Sequence, residues 1–455
     1  MPIDAAQYVL RRLEAGPASA IELAQLIGIS QSSVARLLRE LIASHAIVRL
    51  GSTRGSRYAR LRTVDRLGSD WPLRQVDSEG GIKELGTLNA LTGSSYYFEP
   101  DVSGLKWSGL SEGLPYFLQD QRPAGFLGRT VPAHYPELGL PQRVVDWNDD
   151  HYLRYLTQRG SDTVGDLILG DAALNIHLAS HRQDATRALD HAERSERYPQ
   201  LANDVMTGGF PGSSAHGEHP KFTAVLKQAD GFKHVLVKFS PLDSTEVGQR
   251  WSDLLTAEHL AHEVLKTAGV NAAESRILKC SGRTFLEVDR FDRKNIAGRI
   301  GVTSLFAIDS ALYGKLDNWI EAATRLCRDS QIDAATLETV RLGSTFGALI
   351  ANTDRHFGNL AFYDRYDGKF SLAPIYDMLP MLLAPEHDQV MARVFVPPDP
   401  ASDTLRAYGR ARELAELYWH TCAEDERISM QFRSICQTFL NALEKLPRAG
   451  AFSVN

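Results

Sequence analysis

Little in this chain supplies cross-links or a membrane anchor. Its 455 residues include four cysteines, Cys280, Cys327, Cys422 and Cys436, scattered and with no C-x-x-C pair. That excludes a disulfide framework, argues against a thiolate zinc site and fits a reducing cytoplasm. No apolar run approaches the ~18–20 residues that a bilayer helix needs, so no membrane partner is expected. The start, MPIDAAQYVLRR, has an early acid and no apolar core before a cleavage site, which predicts no signal peptide and a cytoplasmic protein. The phosphate-binding pattern G-x-x-x-x-G-K-[ST] is missing. Lysine is missing from residues 1–66, where ten Arg face five acids for a charge of +5. The whole chain carries −6, so the remainder carries −11. A small basic module on a larger acidic body predicts a nucleic-acid contact at one end only, with nucleoid association when bound.

What is present is ordinary for a globular protein of several domains: 43 % hydrophobic and 23 % charged residues. ASAIELAQLIG, residues 18–28, has apolar residues at helical spacing and ends in Gly28. Ser30 is a good N-cap for QSSVARLLRELIAS, in which Val34, Leu37, Leu38 and Leu41 share one face. The second helix presents Gln31, Ser32, Ser33 and Arg36, types that reach base edges or phosphates. IVRLGSTRGSRYARLR, residues 47–62, places Arg54 and Arg57 between or within two β-like runs, the pattern of a basic wing. Residues 1–66 resemble a winged helix-turn-helix that binds DNA, with a protein-binding winged helix or a plain helical hairpin as the alternatives.

Residues 65–90 (GSDWP, DSEGG) read as a linker. From about 86 to 150 the chain reads as a small α+β accessory unit. DDHYLRYLTQRG, DTVGDLILG and ALDHAERSERYPQLANDVM suggest helices. Residues 205–226, VMTGGFPGSSAHGEHPKFTAVL, form a Gly/Ser-rich loop before a strand; such backbone can approach phosphate oxygens, and a surface hairpin is the alternative. HVLVKFSP, residues 234–241, reads as a buried strand whose single charge, Lys238, requires a partner. Glu258, on a helix at about 252–268, is the candidate, in the arrangement that turns a Lys toward nucleotide phosphates. The hairpin 275–294 ends at Glu287–Phe291, where a hinge against adenine would lie.

The most informative stretch is ANTDRHFGN, residues 351–359, with Asp354 five residues before Asn359 and Asp377 following in PIYDMLP. Phosphoryl transfer needs a carboxylate to take the hydroxyl proton, and an amide oxygen and second carboxylate to hold Mg²⁺. Asp354, Asn359 and Asp377 match these in kind. Lone Asp residues more often cap helices or end strands.

NTDRHFGN, IYDMLP and EVDRFDR resemble the HipA family of bacterial serine/threonine kinases, toxins of type II toxin–antitoxin systems, over roughly residues 85–445. H-R-D and D-F-G, the signatures of ordinary eukaryotic-type kinases, are absent. The resemblance implies that Asp354 is the catalytic base and that Asn359 and Asp377 hold Mg²⁺. It implies that Lys238 contacts the ATP phosphates and that Asp289 and Phe291 line the adenine and ribose. Ser214 matches a regulatory, autophosphorylated serine, since Gly217 and Lys221 fall at the family's spacing from it, although HGEHP within the loop departs from the family sequence. The fused N-terminal domain is similar to the stand-alone, YjjJ-like subgroup. The implied partners are DNA, a HipB-like antitoxin and a protein substrate such as an aminoacyl-tRNA synthetase.

The expected fold class is α+β: a winged helix-turn-helix (1–66), then a bilobal kinase-like fold. Its mixed small lobe comprises an accessory part (67–200) and an ATP-binding part (201–295), and its mainly helical C-lobe spans 296–455. Two other functions stay open on sequence: a DNA-binding regulator whose kinase-like body senses nucleotide, and a Mg²⁺-dependent nuclease.

Overall fold

The computed structural model describes residues 5–51, 55–102, 105, 109–208 and 219–446. The first unit runs α1 (Ala5–Glu14), β1 (Ala18–Ser19), α2 (Ala20–Ile27), α3 (Gln31–Ala43), β2 (Ile47–Leu50) and β3 (Arg57–Arg60). Its core is Val9, Leu13, Leu23, Val34 and Leu38. In α3, buried Val34, Leu38 and Leu41 recur at helical spacing, and Ser30 accepts from the Ser33 amide as N-cap. The expected helix over 18–28 begins two residues later. Ser19 caps it, completing a reciprocal box with Glu22, and Ala18 and Ser19 pair with β3 in a sheet of order β1-β3-β2.

The expected linker over 65–90 is instead the middle of a sheet. Strands β4 (Asp70–Val76), β5 (Ile82–Leu91), β6 (Ser95–Pro100), β7 (Gly109–Glu112) and β8 (Leu167–Leu169) form five antiparallel strands in the order β7-β6-β5-β4-β8. The Gly-rich pieces are only the turns, Gly68 and Gly80 having φ of 89° and 86°. On the strands that these turns bound, Trp71, Leu73, Leu85 and Leu88 belong to a core shared with Tyr96 and Phe98. DTVGDLILG, expected as helix, supplies β8. Its short aliphatic run, closed by glycines at 165 and 170, pairs Leu169 with Leu73. Helices α4 (Gly125–His134), α5 (Asp149–Arg159), α6 (Asp171–Arg187) and α7 (Arg194–Met206) complete this part.

The β2–β3 hairpin is docked on that sheet. Ala59, Leu91 and Tyr97 form a small buried cluster with Val48, Leu50 and Leu61 packed against it. The Gly51 amide donates to the Tyr97 hydroxyl at 2.9 Å. Arg62 donates to both Asp150 oxygens at 2.6 and 2.9 Å, and Tyr96 donates to the same carboxylate at 3.0 Å.

A second sheet, in the order β11-β12-β10-β9, combines β9 (Lys221–Gln228), β10 (Gly231–Phe239), β11 (Ser275–Cys280) and β12 (Arg283–Asp289). Helix α8 (Glu246–Thr267), capped by Thr245, packs against β12. Then follow β13 (Arg293–Lys294), β14 (Gly298–Arg299), β15 (Val302–Ser304), α9 (Leu305–Leu312), α10 (Trp319–Arg328), α11 (Ala334–Leu349), β16 (Ala361–Asp364) and β17 (Phe370–Leu372). An irregular stretch leads to α12 (Leu405–Glu424) and α13 (Met430–Glu444). The largest core lies here and includes Phe346, Leu349, Trp419 and Phe439. Among the described residues, no helix is long and apolar enough to cross a membrane.

Candidate active site

Lys238 leaves the buried end of β10 and meets two carboxylates. Its ammonium donates to Glu258 on α8 at 2.7 and 2.9 Å and to Asp377 at 2.5 Å. The Lys238 and Glu258 side chains are 8 % and 1 % exposed, so the pair is dry. Burial disfavours the ammonium, yet Asp377 and Glu258 outweigh it and hold its pKa above the ordinary value. Directly across the strand pair from Lys238 is a second buried lysine, Lys221. Like charges facing each other on a sheet are unfavourable unless opposite charge joins them. Here Asp377 joins them: burial would raise its pKa, but Lys238 and then Lys221 bring it below the usual carboxylate range.

The two acidic segments are held together by a residue that sequence reasoning passed over. Helix α11 ends at Leu349, the chain turns through Ala351 at φ 57°, and buried Asn352 follows. Asn352 accepts from the Asp354 amide at 2.9 Å and donates to the Asp377 carbonyl at 3.2 Å. Its position in ANTDRHFGN shows a local turn role; the reach to Asp377 is long-range and leaves no local signal. Asn359 closes the same loop by donating to the Asp354 carbonyl at 2.8 Å. Trp319 anchors the loop from outside by donating to the His356 carbonyl at 3.0 Å. The loop lies so close to α11 that a Cβ on Gly347 would sit 2.7 Å from Arg355 Cδ.

Asp354 itself is half-exposed. Partial burial raises its pKa, and the nearby Asp377 charge adds to that. Asp377 has φ 53°, a left-handed conformation that Asp adopts more readily than most non-glycine residues.

A cleft runs from these groups to the end of β12. Its lining includes Lys221, Lys238, Asn359 and Asp377, and also Asp289, Phe291 and Tyr376. Phe291 and Tyr376 lie 5.7 Å apart between ring centroids and form one aromatic patch of the wall. Asp289 is bound by Lys233 at 2.6 Å. Glu258 stands behind Lys238 and is absent from the lining. The first long segment also reaches the cleft, through Asp120 and Val164. Asp120 accepts from the Ser304 amide and hydroxyl, both at 2.6 Å. Ser214, Gly217 and Arg54 lie outside the described residues.

The chemistry of this donor set fits a Mg²⁺–nucleoside triphosphate: two lysines for phosphate oxygens, an amide and a carboxylate for a hard cation, and an aromatic patch for a base. Among the described residues, no cluster of three or more His, Cys, Asp or Glu suited to a metal occurs. Mg²⁺ commonly takes part of its shell from substrate phosphates and water.

On α3, Gln31, Ser32 and Arg36 are exposed, and Ser33 is half-buried. The Ser32 and Ser33 hydroxyls both bond the Ser30 hydroxyl at 2.9 Å within the cap. Arg57 is exposed and donates to the Pro17 carbonyl.

Two family models match the chain: "YjjJ-like toxin, middle domain" over residues 67–178 and "HipA-like C-terminal domain" over 213–444. Toxin YjjJ of Escherichia coli (strain K12) is 35 % identical over 447 residues, 96 % of this chain and 98 % of that protein. Among solved structures, the chain resembles the Shewanella oneidensis MR-1 toxin–antitoxin HipA, determined with HipB and its operator DNA. The TM-score is 0.53 at 14 % identity, covering 82 % of this chain and 95 % of that one. The Helicobacter pylori proinflammatory kinase CtkA matches over 51 % of this chain and 90 % of its own, with a TM-score of 0.36 at 14 % identity.

Proposed function

The chain belongs to the YjjJ-like toxins of the HipA family, and on that premise we propose that it is an ATP- and Mg²⁺-dependent serine/threonine protein kinase that acts as a toxin and binds DNA through its first 66 residues. The observation that carries the kinase reading is the dry Lys238–Glu258 pair touching Asp377 in a cleft with an aromatic wall. Two lysines and two carboxylates leave this part of the cleft near neutrality, so an anionic phosphate chain and a cation are best accepted together.

Asp354 takes the proton of the substrate hydroxyl; its raised pKa makes it a better proton acceptor than an ordinary exposed carboxylate. Asn352 and Asn359 fix the backbone on either side of it. Lys238, oriented by Glu258, and Lys221 hold phosphate oxygens. Phe291 and Tyr376 hold the adenine ring, with Asp289 toward the ribose. Asn359 and Asp377 would hold Mg²⁺, which neutralises charge on the transferring phosphoryl group.

The first unit supports the DNA reading by its order: three helices, a paired hairpin, a capped second helix with Gln31, Ser32 and Arg36 exposed, and excess arginine. We read it as a winged helix-turn-helix. The HipA of Shewanella oneidensis was crystallised with HipB and operator DNA, which supports DNA and a HipB-like antitoxin as partners here. A translation enzyme such as an aminoacyl-tRNA synthetase is the substrate class that the family suggests. Ser214 remains the proposed autophosphorylation site.

The test incubates the full chain with labelled ATP and Mg²⁺, and separately with plasmid DNA, comparing wild type with Asp354→Asn and Asp377→Asn. Protein labelling lost by ~10²–10⁴-fold in both variants is expected. Absence of labelling, with metal-dependent DNA cleavage abolished by the same changes, would replace the kinase with a nuclease.

A further inference from the structure

The two segments matched by separate family models are laced together beside the cleft. On one side is residues 160–166, between α5 and β8. On the other is 290–293, the continuation of β12. Asp162 accepts from Arg290 at 3.1 Å and from Arg293 at 2.7 Å. Asp292 accepts from Arg290 at 3.1 and 3.0 Å, from Arg293 at 2.7 Å and from the Gly165 amide at 3.1 Å. Arg293 also donates to the carbonyls of Gly165 at 3.0 Å and Thr163 at 2.7 Å. Two arginines and two aspartates thus alternate across the join, with backbone groups filling the remaining positions.

This clasp encloses a cleft residue on each side. Val164 is flanked by Thr163 and Gly165, which Arg293 grips, and Phe291 is flanked by Arg290 and Asp292. Val164, Phe291 and Tyr376 pack around the same small apolar cluster, and all three line the cleft. The charges cannot drift without moving these walls. Burial opposes ionisation of Asp292, yet Arg290 and Arg293 prevail and hold its carboxyl below the ordinary range.

We propose that Asp162 and Arg293 are positioning residues through which the 160–166 segment sets the affinity of the cleft for nucleotide, an inference that rests on reading the cleft as a nucleotide site. Neither residue lines the cleft itself, where Lys238, Asn359 and Asp377 take the phosphates on that reading. Their loss therefore weakens binding of the base and leaves the transfer step alone.

The variants follow from the geometry. Arg293 is 4 % exposed and without it Asp292 loses a buried partner, so its removal would damage the fold. Asp162 is 44 % exposed, and without it Arg293 keeps Asp292 and two carbonyls. Asp162→Ala in the full chain is therefore the informative change, with Asp162→Glu as the conservative partner. ADP with Mg²⁺ is titrated by calorimetry, Tm is recorded without nucleotide, and KM for ATP and kcat follow from labelling. The expected result for Asp162→Ala is a Kd and KM raised fivefold or more, kcat within twofold and Tm within about 3 °C of wild type, with Asp162→Glu restoring most of the affinity. Equal Kd for wild type and Asp162→Ala would overturn the clasp's role alone. So would an affinity loss matched by a collapse in Tm, or a fall in kcat at unchanged KM. A wild-type chain that binds no ADP would remove the nucleotide reading and the clasp's role with it.

Discussion

Replacing Lys238 by Met separates what that residue does for the fold from what it does in the cleft. Met keeps most of the volume and removes the charge. Glu258, 1 % exposed, then loses the ammonium that it hydrogen-bonds. Breaking a buried pair in this way costs about 3–5 kcal/mol, because the surviving charge is left in a dry site. Asp377 adds little to that figure, since its side chain is 24 % exposed and water can replace the lysine. Changing Glu258 to Gln as well removes the stranded charge at constant shape. What remains is an unsatisfied amide at about 1–3 kcal/mol, so Lys238→Met/Glu258→Gln should be about 2 kcal/mol more stable than Lys238→Met. Urea unfolding followed by tryptophan fluorescence reads the difference, and both variants should lack phosphate transfer.

The pH dependence gives a second reading of the same experiment. Burial already raises the Glu258 pKa with Lys238 in place, and losing the lysine raises it further. A folded-state pKa above the unfolded value of about 4.3 means that the folded form retains its proton longer. The penalty in Lys238→Met is then smallest below that unfolded value and grows as pH rises through the folded one. The gap to wild type should widen from pH 5 to pH 8. A double variant no more stable than Lys238→Met at pH 8, or a gap independent of pH, would refute the view that the buried pair dominates this site.

Asn352→Ala should lower kcat about tenfold while shifting stability by only about 1–2 kcal/mol, because it unties the Asp354 loop from Asp377 without opening a charged site; steady-state labelling and thermal unfolding check both. Asp364, beneath the β16–β17 turn, has its pKa pushed up to about 7, mainly by burial. Its stabilising protonated form is therefore lost as pH rises through 7, and Asp364→Asn should raise Tm at pH 8 more than at pH 5.5. Arg36→Ala in the full chain should weaken duplex binding and lower the slope of log affinity against log salt by about one, measured by fluorescence anisotropy. Binding unchanged by that substitution would count against α3 as the reading helix.

The parts of the site that sequence reveals are those in which chemistry restricts residue type. A lysine in an apolar strand demands a counter-charge, and Lys238 has two. Asp354, Asn359 and Asp377 stand in short, recognisable stretches, and the fold brings their segments within one hydrogen-bonded loop system. The hidden parts depend on distant backbone. Asn352 reads as a turn residue until Asp377 is placed beside it. Val164 and Asp120 sit in a stretch with no chemical motif and become cleft residues only through distant contacts, of Asp120 with Ser304 and of Thr163 and Gly165 with Arg293. Strands β4 and β5 were obscured by their turns, since GSDWP and DSEGG carry the composition of a linker, and a register shift between Leu73 and Arg74 breaks the alternation of β4. The short run at β8 shows the same ambiguity of period, being too brief to distinguish helix from strand.

The docked β2–β3 hairpin has a consequence for geometry on nucleic acid. A DNA-binding unit on a loose tether would let the cleft sample a sphere around its site. Here Gly51, Tyr97, Arg62 and Asp150 fasten the unit to the part of the chain whose Asp120 and Val164 line the cleft. On the DNA-binding reading, occupancy of one site fixes the azimuth of the cleft about the duplex axis. A second protein on the same duplex would then face the cleft only when its own site is displaced by whole helical turns of about 10–10.5 base pairs. Phosphorylation of such a neighbour should rise and fall with that spacing, as a phase rather than as a distance.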